Sequence, residues 1–332
     1  MTSDSSNKKG APESLRVAVF AKGDRALACL SALAKSEFEI SAVVIPSTEK
    51  NRLIFSELAK QNAAHFAVLD DPNSSQGVSI LEEGMADLAI LAGYPAIVRK
   101  KFLETPRLGV INLHAGKLPH YRGSSPLNWA IINDEDKISI SIIKVDEGVD
   151  TGPIFAEQVI ELSERMTIDD VHQEANKHFP RLLLQVLRGI EHQSIDCAKQ
   201  LEVDACYYPL RFPNDGLIFW DQKTAREVFN YIRALTRPYP CAYTYHNGKK
   251  VFLISAELSK RKFRGVPGRV YQVSEKGLLV STVDESIWIT EAEASDGRAA
   301  AGFVKRYDRF ATVQGTVEAL IKNEIVGNPK GE

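Results

Sequence analysis

Long apolar runs are missing: no stretch of the 332 residues approaches the roughly 20 apolar positions needed to span a bilayer. No membrane role is therefore expected. Cysteine is scarce. Cys29, Cys197, Cys206 and Cys241 are scattered without the spacing of a metal site, so no metal is expected. Cys197 and Cys206 are the pair open to a disulfide, although reduced thiols in a cytoplasmic protein are the expectation. No GxGxxG follows the first apolar run, where the turn is Ala21-Lys22-Gly23-Asp24, which argues against a dinucleotide-binding fingerprint. Residues 1–14 lack the apolar centre of a signal peptide and are expected to form a solvated tail. Internal repeats and low-complexity tracts are absent. Charge of one sign is also lacking: the net value is −2, which carries no whole-molecule nucleic-acid signature. From Cys206 onward there are 19 basic and 14 acidic residues, a mild excess that is read first as solvated surface.

What is present is an alternation. The run Arg16–Ala21 has the continuous apolar character of a strand buried on both faces, and a helical pattern follows over Arg25–Lys35. Further strands are predicted at Ile40–Ile45, His65–Leu69, Asp87–Leu91 and Leu108–Leu113, with a helix at Arg52–Gln61. Alternating strands and helices predict an α/β domain with a mostly parallel sheet, over residues 15–200, whose ligand site lies beyond the C-terminal ends of the strands. A helix at Pro126–Ile132, strands at Ile138–Val145 and Ile154–Ile160 and a long helix at Ile168–Arg188 complete it. Ser194–Pro213 is irregular and is expected to be a linker. Beyond it, a helix at Ala225–Thr236 precedes short β-like runs at Ala242–Tyr245, Lys250–Leu258, Gly268–Val273, Gly277–Val283 and Ser286–Glu291. These predict a second, smaller, barrel-like domain over residues 206–325.

The chemistry is concentrated between Asn112 and Gly152. Asn112 and His114 are two apart at a strand end, so their side chains face the same way. An amide supplies a donor and an imidazole a donor or proton carrier. Asp150 lies between Gly148 and Gly152 in a loop where backbone can approach a ligand closely. A carboxylate beside His114 is expected to raise its pKa and fix its tautomer. An oxyanion stabiliser, a proton carrier and its tuner suit acyl transfer without a covalent enzyme intermediate.

The pieces Asn112-Leu-His114, Leu118-Pro119, Tyr121-Arg122-Gly123, Pro126 and Asp150-Thr-Gly152 make a long composite motif that resembles the 10-formyltetrahydrofolate formyltransferase family. The resemblance covers about residues 15 to 295. It implies that Asn112, His114 and Asp150 are the catalytic trio, with Asn112 and protonated His114 stabilising an oxyanion and Asp150 holding His114 and assisting proton movement. It also implies that 10-formyltetrahydrofolate is the co-substrate. The folate would be bound mainly through backbone of Ala96, Ile97 and Val98, of Gly116, Lys117, Leu118 and Pro119, and of Asp146, Glu147, Gly148 and Val149. Arg122 is a candidate for substrate phosphate, with a structural role in its loop as the equal alternative. Tyr208 and Arg211 are candidates for the acceptor.

The run RFPNDGLIFW and the later IRALTRPYPCAYTYHNGKKVFL are similar to the C-terminal module shared by methionyl-tRNA formyltransferases and aminoarabinose-type sugar formyltransferases. The segment Pro46–Arg52 is short and mixed in charge where the tRNA enzymes carry a basic insertion. That favours a nucleotide-linked amino sugar as acceptor, and by analogy a homodimer through the second domain. The basic loop Ser259–Arg269 keeps initiator Met-tRNA as the rival.

Overall fold

A computed structural model describes residues 14–326. Residues 1–13, most of the expected tail, lie outside the described residues. In chain order the elements are β1 (Arg16–Ala21), α1 (Gly23–Leu33), β2 (Glu39–Ile45), α2 (Arg52–Gln61), β3 (His65–Val68), α3 (Ser75–Glu83), β4 (Leu88–Ala92), α4 (Lys100–Glu104) and β5 (Val110–His114). Then come β6 (Arg122–Gly123), α5 (Pro126–Ile132), β7 (Lys137–Lys144), β8 (Ile154–Glu161), α6 (Ile168–Glu191) and β9 (Tyr207–Tyr208). The last are α7 (Ala225–Leu235), β10 (Ala242–His246), β11 (Lys249–Leu258), β12 (Val270–Ser274), β13 (Gly277–Ser281), β14 (Ser286–Ala294) and α8 (Val313–Val326). No described helix is long and apolar enough to cross a membrane.

Two compact units share the chain, and it passes between them several times: of the described residues, 14–122, 139–160 and 174–207 form one, and 123–138, 161–173 and 208–326 the other. The first unit is built on a seven-stranded sheet of order β3-β2-β1-β4-β5-β7-β8. β1, β2 and β4 are apolar along nearly their whole length because helices cover both faces of the sheet, so neither face is a solvent face. Phe20 on β1 meets Tyr94 and Phe102 edge-on, with centroids 5.5 and 5.0 Å away. Each such aromatic pair contributes roughly 0.5–1.5 kcal/mol beyond its buried area. Strands β1 to β5 run parallel, but β7 is antiparallel to β5, setting Asn112 opposite Ile143 and His114 opposite Ser141. The sheet is thus mostly parallel with one reversal, where the chain re-enters beside β5 from the end at which β5 stops.

Two helices absent from the sequence reading, α3 and α4, join β3 to β4 and β4 to β5. The first begins SQG, with Ser74 capping it by accepting from Gly77 N, and the second has five residues. Neither presents enough turns for a period to stand out.

The second unit contains the five-stranded antiparallel sheet β10-β11-β14-β13-β12 and helix α7. The helix starts at a capping box: Thr224 Oγ1 accepts from Glu227 N while Glu227 accepts from Thr224 N. β13 ends at Ser281, two residues before the expected end, because the Thr282 hydroxyl bonds Asp284 and Glu285 and turns the chain. The edges of the sheet are joined by the segment 307–311. Tyr307 N donates to Val270 O, Phe310 N to Gly268 O, and Ala311 N to Tyr245 O. That stitch makes the sheet barrel-like, and it belongs to a stretch for which the sequence suggests no role.

The expected linker also differs. Up to Tyr207 it is part of the first unit, where Ile154 and Ala198 exchange both backbone hydrogen bonds at 2.8 Å and Cys206 N donates to Pro119 O. Cys197 and Cys206 are exposed free thiols, and Cys29 and Cys241 are buried ones.

Candidate active site

Strand β5 delivers Asn112 and His114 to the C-terminal edge of the parallel sheet, on one side of the strand as the two-residue repeat requires. Both reach Asp150. Asn112 Nδ2 donates to Asp150 Oδ1 at 3.2 Å, and His114 Nδ1 faces Asp150 Oδ2 at 3.5 Å. The second separation is longer than a hydrogen bond but short enough for strong Coulomb coupling. The other ring nitrogen, Nε2, lies 2.6 Å from the Tyr121 carbonyl. A carbonyl only accepts, so Nε2 carries a hydrogen and Nδ1 is the position at which the ring gains or loses a proton.

The loop that carries Asp150 is held from within. Asp146 Oδ1 accepts from Gly148 N at 3.1 Å and from Thr151 Oγ1 at 2.5 Å, and Asp150 itself sits in the left-handed region at φ 52°. Gly152 is required because a Cβ there would lie 1.7 Å from the Lys144 carbonyl oxygen, and one at Gly148 would strike Thr151 Oγ1. The bracketing glycines therefore serve the packing of the loop itself, where close approach of a ligand was the expectation.

His114 is 5 % exposed. Burial lowers its pKa from the ordinary 6.5, outweighing the upward pull of Asp150 and of the Tyr121 carbonyl, while the charge of Arg25 lowers it further. The expected upward shift is thus reversed by depth of burial. Arg25, at the start of α1, donates Nη1 to Leu113 O at 2.9 Å and stacks its guanidinium on Phe179. Nothing in the sequence, 88 residues away from Leu113, singles it out.

The sequence-predicted folate residues occupy three loops. Val98, Gly116 and Leu118 are buried, Ala96 and Pro119 half-buried, and Ile97, Lys117, Asp146, Glu147, Gly148 and Val149 exposed. Several carbonyls there already accept within the fold: Ile97 O from Asn73, Gly116 O from Ser141, Lys117 O from Tyr121 and Pro119 O from Cys206. A carbonyl has two lone pairs, so these bonds rigidify the loops without closing them to a ligand.

Of the two roles open to Arg122, the geometry supports the structural one. It is 1 % exposed, and its guanidinium donates to Gln200 Oε1, to both oxygens of Glu202 and to the Tyr207 hydroxyl. A side chain so committed acts as a buried strut, which favours the structural alternative over substrate phosphate. Tyr208 and Arg211 belong to the second unit, apart from the trio's unit. There the Tyr208 ring lies 5.2 Å from Trp129, its hydroxyl accepts from Asn133, and the Arg211 guanidinium stacks 4.8 Å from Trp129 and 5.7 Å from Tyr231. Among the described residues no group of three or more His, Cys, Asp or Glu is placed to hold a metal ion.

An α/β unit with Asn112 and a buried His converging on one carboxylate at the end of a parallel sheet, in a chain that also carries a β-rich unit, is an arrangement suited to group transfer. Residues 15–187 match the formyl transferase family and residues 212–305 its C-terminal domain, and the chain belongs to this family. It is 30% identical to the methionyl-tRNA formyltransferase of Acetivibrio thermocellus, over 86% of this chain and 93% of that protein. To the bifunctional polymyxin resistance protein ArnA of Wigglesworthia glossinidia brevipalpis it is 28% identical, over 85% of this chain but only 43% of that longer protein. Its fold is similar to the N-formyltransferase of Helicobacter canadensis, in a structure with folinic acid and dTDP-3-aminofucose, at TM-score 0.64 and 19% identity, covering 84% of this chain and 100% of that one.

Proposed function

We propose that the chain transfers the formyl group of 10-formyltetrahydrofolate to a primary amine on a nucleotide-linked amino sugar, with Asn112, His114 and Asp150 as its catalytic residues. The observation that carries the reading is the convergence of Asn112 and His114 on Asp150 within one unit of a formyl transferase family member. The donor supplies the formyl carbon. The amine nitrogen bonds to that carbon, the bond to the folate nitrogen breaks, and a proton passes from the amine to the departing nitrogen. An amide nitrogen has two hydrogens, so Asn112 can hold Asp150 with one and a developing oxyanion with the other. The proton is held at His114 Nδ1, opposite Asp150. Burial makes the imidazolium a stronger acid than usual and so a readier donor to the leaving group. Exposed backbone at Glu147, Gly148 and Val149, beside Asp150, suits a folate edge that needs peptide donors and acceptors.

A sugar nucleotide is favoured over tRNA by the segment between β2 and α2. It is a tight turn anchored by the buried Glu49, whose carboxylate accepts from Gly23 N and Asn51 N at 2.7 Å each. The turn's exposed charges are Lys50 and Arg52, fewer than the several phosphate contacts that a basic arm for nucleic acid would supply. The second reading, initiator Met-tRNA, is favoured by the relative in Acetivibrio thermocellus and by exposed Lys260, Arg261, Lys262 and Arg264. Incubation with formyl-labelled 10-formyltetrahydrofolate, a panel of amino-sugar nucleotides and charged initiator tRNA separates the two. Label in a sugar nucleotide is the expected result, and label in tRNA alone overturns it.

A further inference from the structure

The strap that follows α6 does more than connect. Gln200 Nε2 donates to the carbonyls of Asp150 and Gly152, at 2.8 and 2.7 Å. Its Oε1 accepts from Arg122 Nε at 3.0 Å. Only one orientation of the amide satisfies all three contacts, because a guanidinium cannot accept and a carbonyl cannot donate. Arg122 thereby fixes which end of Gln200 meets the loop, and Glu202 and Tyr207, on the same strap, hold Arg122. Arg122 also follows Tyr121, whose carbonyl takes the Nε2 hydrogen of His114, and its own N–H donates to Cys206 O. One buried arginine therefore connects both supports of His114: Tyr121 through the peptide chain, and Asp150 through Gln200.

We infer that Gln200 is a positioning residue for formyl transfer, clamping Asp150 in its left-handed conformation so that its carboxylate spans Asn112 and His114. The inference rests on the trio reading given above. Asp150 at φ 52° is in a conformation that a non-glycine residue holds only under constraint from its surroundings, and the two hydrogen bonds from the Gln200 amide to the carbonyls of Asp150 and Gly152 contribute to that constraint. Released, the carboxylate drifts from the 3.5 Å position opposite His114 Nδ1. A displacement on the order of 1 Å can reduce turnover about 10²-fold.

The test compares Gln200→Met, which keeps length and loses every hydrogen bond, with Gln200→Glu. The glutamate still accepts from Arg122 but turns an oxygen toward the two carbonyls. Both variants are expected to lose roughly 10- to 10²-fold in kcat with KM for either substrate changed less than about twofold. A residue that merely braces Arg122 would leave Gln200→Glu at wild-type kcat, and that result overturns the inference. The second readout is the imidazole titration of His114 followed by NMR. Asp150 raises that midpoint, against burial and Arg25. Gln200→Met, which adds no charge, is therefore expected to titrate lower than wild type, and an unmoved midpoint there counts against the clamp. His114→Asn is run alongside. If it stays fully active the trio reading fails, whereas an inactive His114→Asn with wild-type Gln200 variants defeats the clamp alone. Failure of both Gln200 variants to fold would assign the residue to the fold and overturn the inference.

Discussion

Two buried histidines, one in each unit, face aspartates, and only one of the pairs has the surroundings of a reaction centre. His114 and His246 are 5 % and 6 % exposed. His246 Nε2 sits 2.9 Å from Asp308, closer than His114 sits to Asp150. Yet Asp308 spends the same oxygen on Lys305 N, three residues back, and the imidazole lies among Phe303 and Phe310. That pair ties off a turn. Asp150 instead bridges two side chains of one strand, and its loop is restrained by a residue 50 positions away. A short His–carboxylate distance is thus a poor marker of chemistry. The better marker is a carboxylate held where it serves other side chains more than its own turn.

The contrast is broken most sharply by replacing both histidines. His114→Asn is expected to lower kcat about 10²- to 10⁴-fold, the range for a proton carrier. His246→Asn should leave kcat within a few-fold and destabilise the protein by about 1–3 kcal/mol through the orphaned Asp308, read by denaturant unfolding. Equal loss of turnover in both would erase the distinction. A smaller divergence is expected for the aspartates. Asp150→Asn keeps the shape but removes the charge opposite Nδ1, lowering kcat by about 10²-fold in steady-state assays, while Asp308→Asn should leave it nearly unchanged.

The smallest effect is one of pH. Because burial lowers the His114 pKa below 6.5, the unfolded chain binds a proton there that the folded chain refuses in the window between the two values. Stability contributed at this site is therefore present above pH 6.5 and lost as pH falls below it, with a slope of at most about 1.4 kcal/mol per pH unit. Thermal melts of wild type against His114→Asn should converge as the solution is acidified below that point. A difference that widens on acidification would mean that Asp150 overcomes burial.

Much of this molecule can be read from sequence because local patterns suffice for it. β1, β2 and β4 are apolar along nearly their whole length, and Asn112 and His114 share a face by the period of a strand. Other features depend on distance in space that leaves no period. Arg25 meets Leu113, Gln200 meets Asp150 and Ala311 meets Tyr245 across tens of residues, each through a backbone carbonyl that any residue type supplies. The direction of the His114 shift is hidden from the sequence for a related reason: a neighbouring carboxylate is visible in a motif, whereas depth below the surface is not. Arg122 shows the reverse hazard. A basic residue in a loop of the composite motif suggests phosphate, but Gln200, Glu202 and Tyr207, 78 to 85 positions later, accept from its Nε and Nη1.

The stitch at residues 307–311 sets the order in which the protein can be completed during synthesis. The strap that restrains Asp150 ends at Tyr207, so every residue of the first unit has been made while β10 to β14 are still to come. The second sheet, by contrast, keeps two open edges, at Val270 and at Tyr245, until Ala311 has emerged. For that interval a growing chain carries the complete sequence of the first unit together with an unfinished sheet with exposed strand edges, the part most open to pairing with a neighbouring chain.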